Sequence, residues 1–97
     1  MRKVEMIEKI SKETGVEKVD VLVILETLFN EVKETVISGE EVSFHGFGTF
    51  RPIIRAEKRG RIISTGVDIV IPRHYEPKFF PSKTFKALLR PDENDIE

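Results

Sequence analysis

The sequence predicts an α+β fold, with two N-terminal helices followed by antiparallel strands and a last short helix. Apolar residues recur every three or four positions up to Ser38, whereas from Val42 onward they alternate with polar residues. A proline- and phenylalanine-rich return at 77–81 then precedes a second helical pattern. A chain of 97 residues forms one domain, predicted to cover residues 1–90. Residues 91–97 are an acidic tail, expected to be disordered.

The first predicted helix carries Val4, Ile7 and Ile10 on one face and ends at Gly15. The second runs from Glu17 to Ser38. Its apolar stripe comprises Val21, Leu25, Leu28, Val32 and Val36, broadened by Leu22 and Phe29. β-Branched residues at 19–25 would allow a strand, but the long stretch without Gly or Pro favours a helix. So wide an apolar face needs more cover than one short helix offers, so a partner subunit is expected.

The strands begin where Val42 and Phe44 alternate with polar residues. Glycines within 46–48 predict a turn before the pattern resumes at Thr49, which together indicate a hairpin. Pro52 suits an edge strand or a bulge.

A longer ribbon is predicted from a basic limb, a turn at Ser64–Gly66 and a β-branched limb at Val67–Ile71. The chain returns through Pro77–Pro81. Ser82 is the predicted N-cap of a helix from Lys83 to Arg90, which ends before Pro91. The side chains of this helix that are expected to face inward are Phe85, Leu88 and Leu89.

The net charge of −1 conceals a marked asymmetry along the chain. Residues 1–45 carry a balance of −4, residues 46–90 a balance of +7, and residues 91–97 a balance of −4. The distribution of charge, more than its total, determines whether a surface attracts a polyanion. The central segment therefore fits a nucleic-acid partner, although a solvated basic face would have the same composition.

Patterns typical of enzymes and of metal or cofactor sites are missing from the sequence. There is no cysteine, no nucleophile elbow and no phosphate-binding loop, and His45 and His74 do not stand at metal-ligand spacing. We therefore expect no catalytic residue, no metal, no cofactor and no small-molecule substrate. The longest uncharged run, Val42–Phe50, is too short to span a bilayer, so no membrane association is expected.

The basic ribbon remains as the candidate site. Arg55, Lys58, Arg59 and Arg61 fall within seven residues, close to a tip that carries Ile62 and Ile63. Adjacent isoleucines at an exposed tip are costly in water unless they pack on an apolar surface. A base step opened from the minor groove is one such surface, and arginines suit the flanking groove and phosphates. A hairpin that merely packs a dimer is the simpler alternative.

Two short motifs in the strand-forming part of the chain are specific for one protein family when they occur together. They are Gly46-Phe47-Gly48-Thr49-Phe50 and Arg59-Gly60-Arg61 followed by Thr65-Gly66. Further matching positions are Ile69, Ile71-Pro72, Pro77, Phe79, Pro81, Lys83 and Lys86. In these residues the chain resembles the HU/IHF family of bacterial DNA-bending proteins from Lys3 to about Leu89.

The resemblance implies an intertwined homodimer, or a heterodimer with a paralogue, whose helical body carries two long β-ribbon arms around double-stranded DNA. By position, the basic residues that would face DNA are Lys3, Arg55, Lys58, Arg59, Arg61, Lys83 and Lys86. Ile63 stands where the family usually has an intercalating proline. Ile53 and Phe80 replace common basic residues, a loss for which Arg51 and Arg73 could partly compensate.

The resulting expectation is an architectural protein, located with the bacterial nucleoid in the cytoplasm, that bends duplex DNA through the minor groove with little sequence preference. The acidic segments, Phe80 and the isoleucine tip keep a second hypothesis open. That hypothesis is an HU-like dimerisation or assembly module with weakened DNA binding.

Overall fold

The computed structural model describes residues 1–89. Within them the order of elements is two helices, five strands and a third helix. The helices are α1 (Lys3–Thr14), α2 (Lys18–Ile37) and α3 (Lys83–Leu88). The strands are β1 (Val42–Phe44), β2 (Gly48–Arg55), β3 (Lys58–Ile62), β4 (Val67–Ile71) and β5 (His74–Pro81). The predicted α+β class is confirmed. The chain consists of two compact units. One covers residues 1–34, and the other begins at Thr35.

The N-terminal unit contains α1 and most of α2. Gly15 adopts a left-handed conformation (φ 78°) and donates its backbone N–H to the carbonyl of Ser11, which ends α1 as predicted. Ile7 and Val21 are the buried apolar residues of this unit. Val4, placed on the same predicted stripe, is exposed in the single chain.

The stripe of α2 is only partly covered. Val21 and Val36 are buried, but Leu22, Leu28 and Phe29 all retain large exposed fractions, with Phe29 at 47%. Val23 and Ile24 are also exposed. One chain therefore leaves much of the apolar surface of this helix in water, an arrangement that usually marks a binding face.

The second unit is built on an antiparallel sheet with strand order β1-β2-β5. β1 pairs with β2 only as far as Phe50, so beyond that residue β2 has β5 as its single partner strand. Pro52 lies in this outer part, opposite Pro77. It therefore occupies an edge position, as predicted, where a missing N–H costs no ladder hydrogen bond.

One face of this sheet packs through five phenylalanines. Phe50 and Phe79 pair across β2 and β5 with ring centroids 4.7 Å apart. Phe47, in the β1–β2 turn, lies 5.2 Å from Phe79 and 5.4 Å from Phe85 of α3. Phe44 completes the cluster against Phe47 at 6.4 Å. The predicted hairpin thus serves to place Phe47 under the last helix.

The last helix begins as predicted, because the Ser82 hydroxyl accepts a hydrogen bond from the Phe85 backbone N–H at 3.1 Å. Phe85 faces inward, as predicted. The same prediction is wrong for Leu88 and Leu89, because within this chain they are 85% and 76% exposed. A helix of six residues turns only one narrow face to its own sheet. Arg90, the predicted helix end, and the tail at 91–97 lie outside the described residues.

Candidate nucleic-acid interface

The ribbon of β3 and β4 has two chemically different faces. Its register places Arg61 opposite Asp68 and Arg59 opposite Val70. Since opposed residues of an antiparallel pair share a face, these four side chains lie together. The other face carries Lys58 together with the apolar side chains Ile62, Val67, Ile69 and Ile71. The arginines and the apolar stripe therefore lie on opposite sides of the ribbon.

The tip of the ribbon is a four-residue turn between Ile62 and Val67. The backbone N–H groups of Thr65 and Gly66 both donate to the carbonyl of Ile62, at 3.3 and 2.7 Å. Gly66 takes a positive φ of 70°, which explains glycine at this position. The turn holds Ile63 outward with 97% of its surface exposed, whereas Ile62 is 41% exposed. Ile63 is thus the more exposed of the two isoleucines at the tip.

An ion pair across the ribbon restrains one of its arginines. Arg61 Nε lies 3.2 Å from Asp68 Oδ1, and both side chains are largely exposed. Exposed pairs of this kind stabilise a fold by about 0–1 kcal/mol. A phosphate could therefore replace the carboxylate at little cost. Arg59 and Lys58 are exposed on opposite faces of the same strand.

At the root of the ribbon, where β2 ends and β5 begins, Arg55 and His74 stand opposite each other. Both contact the same carboxylate: Arg55 Nε lies 3.0 Å from Glu76 Oε2, and His74 Nε2 lies 2.9 Å from Glu76 Oε1. Hydrogen bonds from His74 and Arg55 lower the pKa of Glu76. Arg55 is thus placed near the ribbon but is engaged by an acid.

Lys3 belongs to the N-terminal unit and begins α1. Its Nζ lies 2.8 Å from Glu26 Oε1 on α2. This contact lowers the pKa of Glu26, first through the hydrogen bond and then through the positive charge of Lys3. Three of the predicted DNA-facing cations, Lys3, Arg55 and Arg61, are therefore paired with carboxylates of their own chain.

The remaining predicted cations have simpler surroundings. Arg73 is exposed in the short connection between β4 and β5. Lys83 and Lys86 are exposed on α3, three residues apart and hence on the same side of the helix.

One cluster on the sheet was not predicted as a unit, although Arg51 was named from the sequence as a cation that could compensate for lost basic residues. Arg51 and Lys78 stand directly opposite each other on β2 and β5, and both lie over the ring of Phe80. The Arg51 guanidinium carbon is 4.2 Å and Lys78 Nζ 5.2 Å from the ring centroid. Like charges directly opposite each other destabilise a sheet, and the aromatic face offsets part of that cost. Sequence spacing could not reveal this pairing because its two cations are 27 positions apart in the chain.

Residues 1–89 contain no group of three or more His, Cys, Asp or Glu side chains arranged to hold a metal ion. None of the helices in this part of the chain has the length and apolar character required to cross a membrane.

Comparison with known proteins shows which family this chain belongs to. Residues 1–90 match the family described as bacterial DNA-binding protein. The chain is 41% identical to the SPbeta prophage-derived DNA-binding protein HU 2 of Bacillus subtilis, over 93% of this chain and 98% of the relative. It is 37% identical to DNA-binding protein HU of Thermotoga maritima, over 93% of this chain and 100% of that protein.

Solved structures agree with the sequence comparison. The fold is similar to that of Anabaena HU in a cocrystal with DNA, with a TM-score of 0.88 and 28% identity, covering 95% of this chain and all of the Anabaena chain. HU from Thermotoga maritima aligns with a TM-score of 0.66 over 93% of this chain and all of its own. The predicted resemblance is confirmed, and this chain belongs to the bacterial DNA-binding protein family that includes HU.

Proposed function

We propose that this protein is an architectural DNA-binding protein that holds duplex DNA between two β-ribbons and bends it through the minor groove. The observation that carries the proposal is the ribbon tip: a fully exposed Ile63 stands at the end of a strand that bears Arg59 and Arg61. An apolar wedge flanked by arginines fits a partly opened base step in the minor groove. Family membership supplies the partner, double-stranded DNA.

The binding unit is a dimer of this chain, or a pair formed with a paralogue. Its support is the apolar surface that one chain leaves exposed on α2 and at Leu88 and Leu89. Covering such surface with a second subunit stabilises small domains that bury little alone. A dimer also supplies the two ribbons that wrapping requires.

Affinity in this proposal comes mainly from phosphates. Lys58, Arg59 and Arg73 are exposed cations, and Lys83 and Lys86 add a second pair on α3. Phosphate contacts position a protein on the duplex but contain no sequence information, so binding is largely nonspecific. Because Lys3, Arg55 and Arg61 must exchange a carboxylate for a phosphate, they contribute less affinity than free cations. In the cell the protein would lie with the nucleoid.

The alternative hypothesis, an assembly module with weakened DNA binding, has less support. The relatives named above are described as DNA-binding proteins, and the Anabaena protein is bound to DNA in its crystal.

The first test is a mobility-shift titration with a duplex at two salt concentrations. We expect binding that weakens as salt rises, with a slope of about −0.9 for each phosphate neutralised. A protein that fails to shift DNA even at low salt would instead be an assembly module.

The second test concerns the wedge. Ile63→Ala should reduce bending, measured by FRET between the ends of the duplex, more than it reduces affinity, because the wedge opens a base step while phosphate contacts persist. Ile71→Ala, the same change at the root of the ribbon, is the matched control and should leave bending intact. Unchanged bending by the Ile63 variant would show that another group produces the bend.

A further inference from the structure

His74 has an unusual pair of contacts at the root of the ribbon. Its Nδ1 lies 2.8 Å from the Pro72 carbonyl oxygen, and its Nε2 lies 2.9 Å from Glu76 Oε1. A carbonyl oxygen and an ionised carboxylate oxygen can only accept hydrogen bonds. Both ring nitrogens must therefore donate, and only the imidazolium form carries two N–H groups.

The electrostatic balance around the ring agrees with this geometry. The hydrogen bond to Pro72 and then that to Glu76 raise the pKa of His74, while burial and Arg55 act in the opposite direction. The stability gained from these contacts is present below the ordinary histidine pKa. It is lost as the pH rises through the raised pKa of the folded protein.

Protonation of His74 changes what Arg55 can do. With a neutral imidazole, the carboxylate of Glu76 balances the charge of Arg55, and the three side chains carry no net charge. With an imidazolium, they carry a charge of +1, and Glu76 keeps a cationic partner even when Arg55 leaves it. Arg55 can then turn to a phosphate without leaving Glu76 unpaired.

We propose that His74 is a proton-dependent determinant of DNA affinity, which in its charged form holds Glu76 and releases Arg55 to the DNA backbone. This inference rests on the proposed DNA-binding function. A phosphate beside Arg55 in turn favours the charged imidazole, because linkage between two binding events is reciprocal. DNA binding is therefore accompanied by proton uptake at the ribbon root.

The charges around His74 are few. Arg55 faces it from β2, and Glu76 faces it from its own strand, β5. In the described residues no charged side chain outside this group of three forms an ion pair with Arg55 or Glu76. Lys78 and Arg51 follow further along the same face of the sheet, where they stand opposite each other.

The experiment measures the affinity for a labelled duplex by fluorescence anisotropy between about pH 5.5 and 8.5, at constant ionic strength. We expect the affinity to increase toward acidic pH by about threefold per ribbon, and therefore by about tenfold for a dimer with two ribbons. His74→Gln should remove this increase. His45→Gln changes the only other histidine and should retain it. Glu76→Gln should bind more tightly than the parent protein at neutral pH and lose most of the pH dependence.

An NMR titration of the His74 ring, with and without the duplex, provides a direct readout. We expect a pKa that is above the usual histidine range in the free protein and rises further on the DNA. A His74→Gln protein that keeps the parental pH dependence, or a His74 pKa unmoved by DNA, overturns the inference while leaving DNA binding intact. Absence of binding by the parent and the His45→Gln protein at every pH refutes the proposed function itself.

Discussion

Gly48 shows how a single missing side chain can determine the packing of the sheet. It pairs with Pro81 where β2 runs against β5, and it is a buried position. A Cβ built on this glycine would lie 2.6 Å from the Phe79 ring and 2.6 Å from the Phe80 carbonyl oxygen. The backbone oxygen cannot move without the strand, so only glycine fits.

Gly48→Ala should therefore destabilise the protein by about 1–3 kcal/mol, the usual cost of forcing extra volume into a packed site. Gly60→Ala is the matched control. Its Cβ would meet Ile69 at 3.6 Å, an ordinary contact, so its stability should stay within about 0.5 kcal/mol of the parent. Chemical denaturation measures both. Equal stability of the two variants would mean that β2 can shift away from β5.

In the ribbon, the two arginines lie on one face and most of the apolar side chains lie on the other. Alternation along β3 sends Arg59 and Arg61 to one face and Lys58 to the other. The arginine face also carries Asp68, an acid opposite Arg61. For a surface that binds a polyanion, this carboxylate is the unfavourable group.

Asp68→Asn should increase DNA affinity about 1.5- to fivefold per ribbon at low salt, because releasing an exposed ion pair costs about 0.2–1 kcal/mol. The gain should diminish as salt screens the charges. Asp20→Asn, the same chemical change on α2, controls for the net charge of the protein. Equal gains from both variants would show that Arg61 does not contact the DNA.

At the scale of the whole molecule, the apolar side chains are better placed to pack against a second subunit than to form a core within one chain. In the described residues, only Ile7, Val21 and Val36 are buried hydrophobic side chains. So small a core does not offset the conformational entropy lost when the chain folds. The stability of this protein should therefore depend on its concentration, as expected when folding and dimerisation are linked.

Phe29→Ser tests this dependence. If the exposed ring packs on a second subunit, its loss should cost about 3–5 kcal/mol per subunit and shift the protein from dimer to monomer. Asn30→Ser, at the adjacent exposed position of α2, should leave the dimer unchanged. Light scattering and thermal unfolding at several concentrations report both effects. A parent protein whose melting temperature is independent of concentration would contradict the dimer.

Most of the elements could be predicted from local patterns. Gly15 ended α1, Ser82 capped α3, and the glycines of 46–48 and Gly66 produced turns, because each of these effects acts over four residues or fewer. The basic limb and its isoleucine tip were likewise visible as a run of neighbouring residues.

The sequence by itself determined the α+β class, the order of helices and strands, the segregation of charge and, through specific motifs, the family. Only the tertiary structure decided which residues meet across strands. It placed Arg51 and Lys78 over Phe80, and it joined Arg55 and His74 through Glu76. Such pairs depend on strand register, which is set by the packing of the whole sheet and is absent from any local pattern.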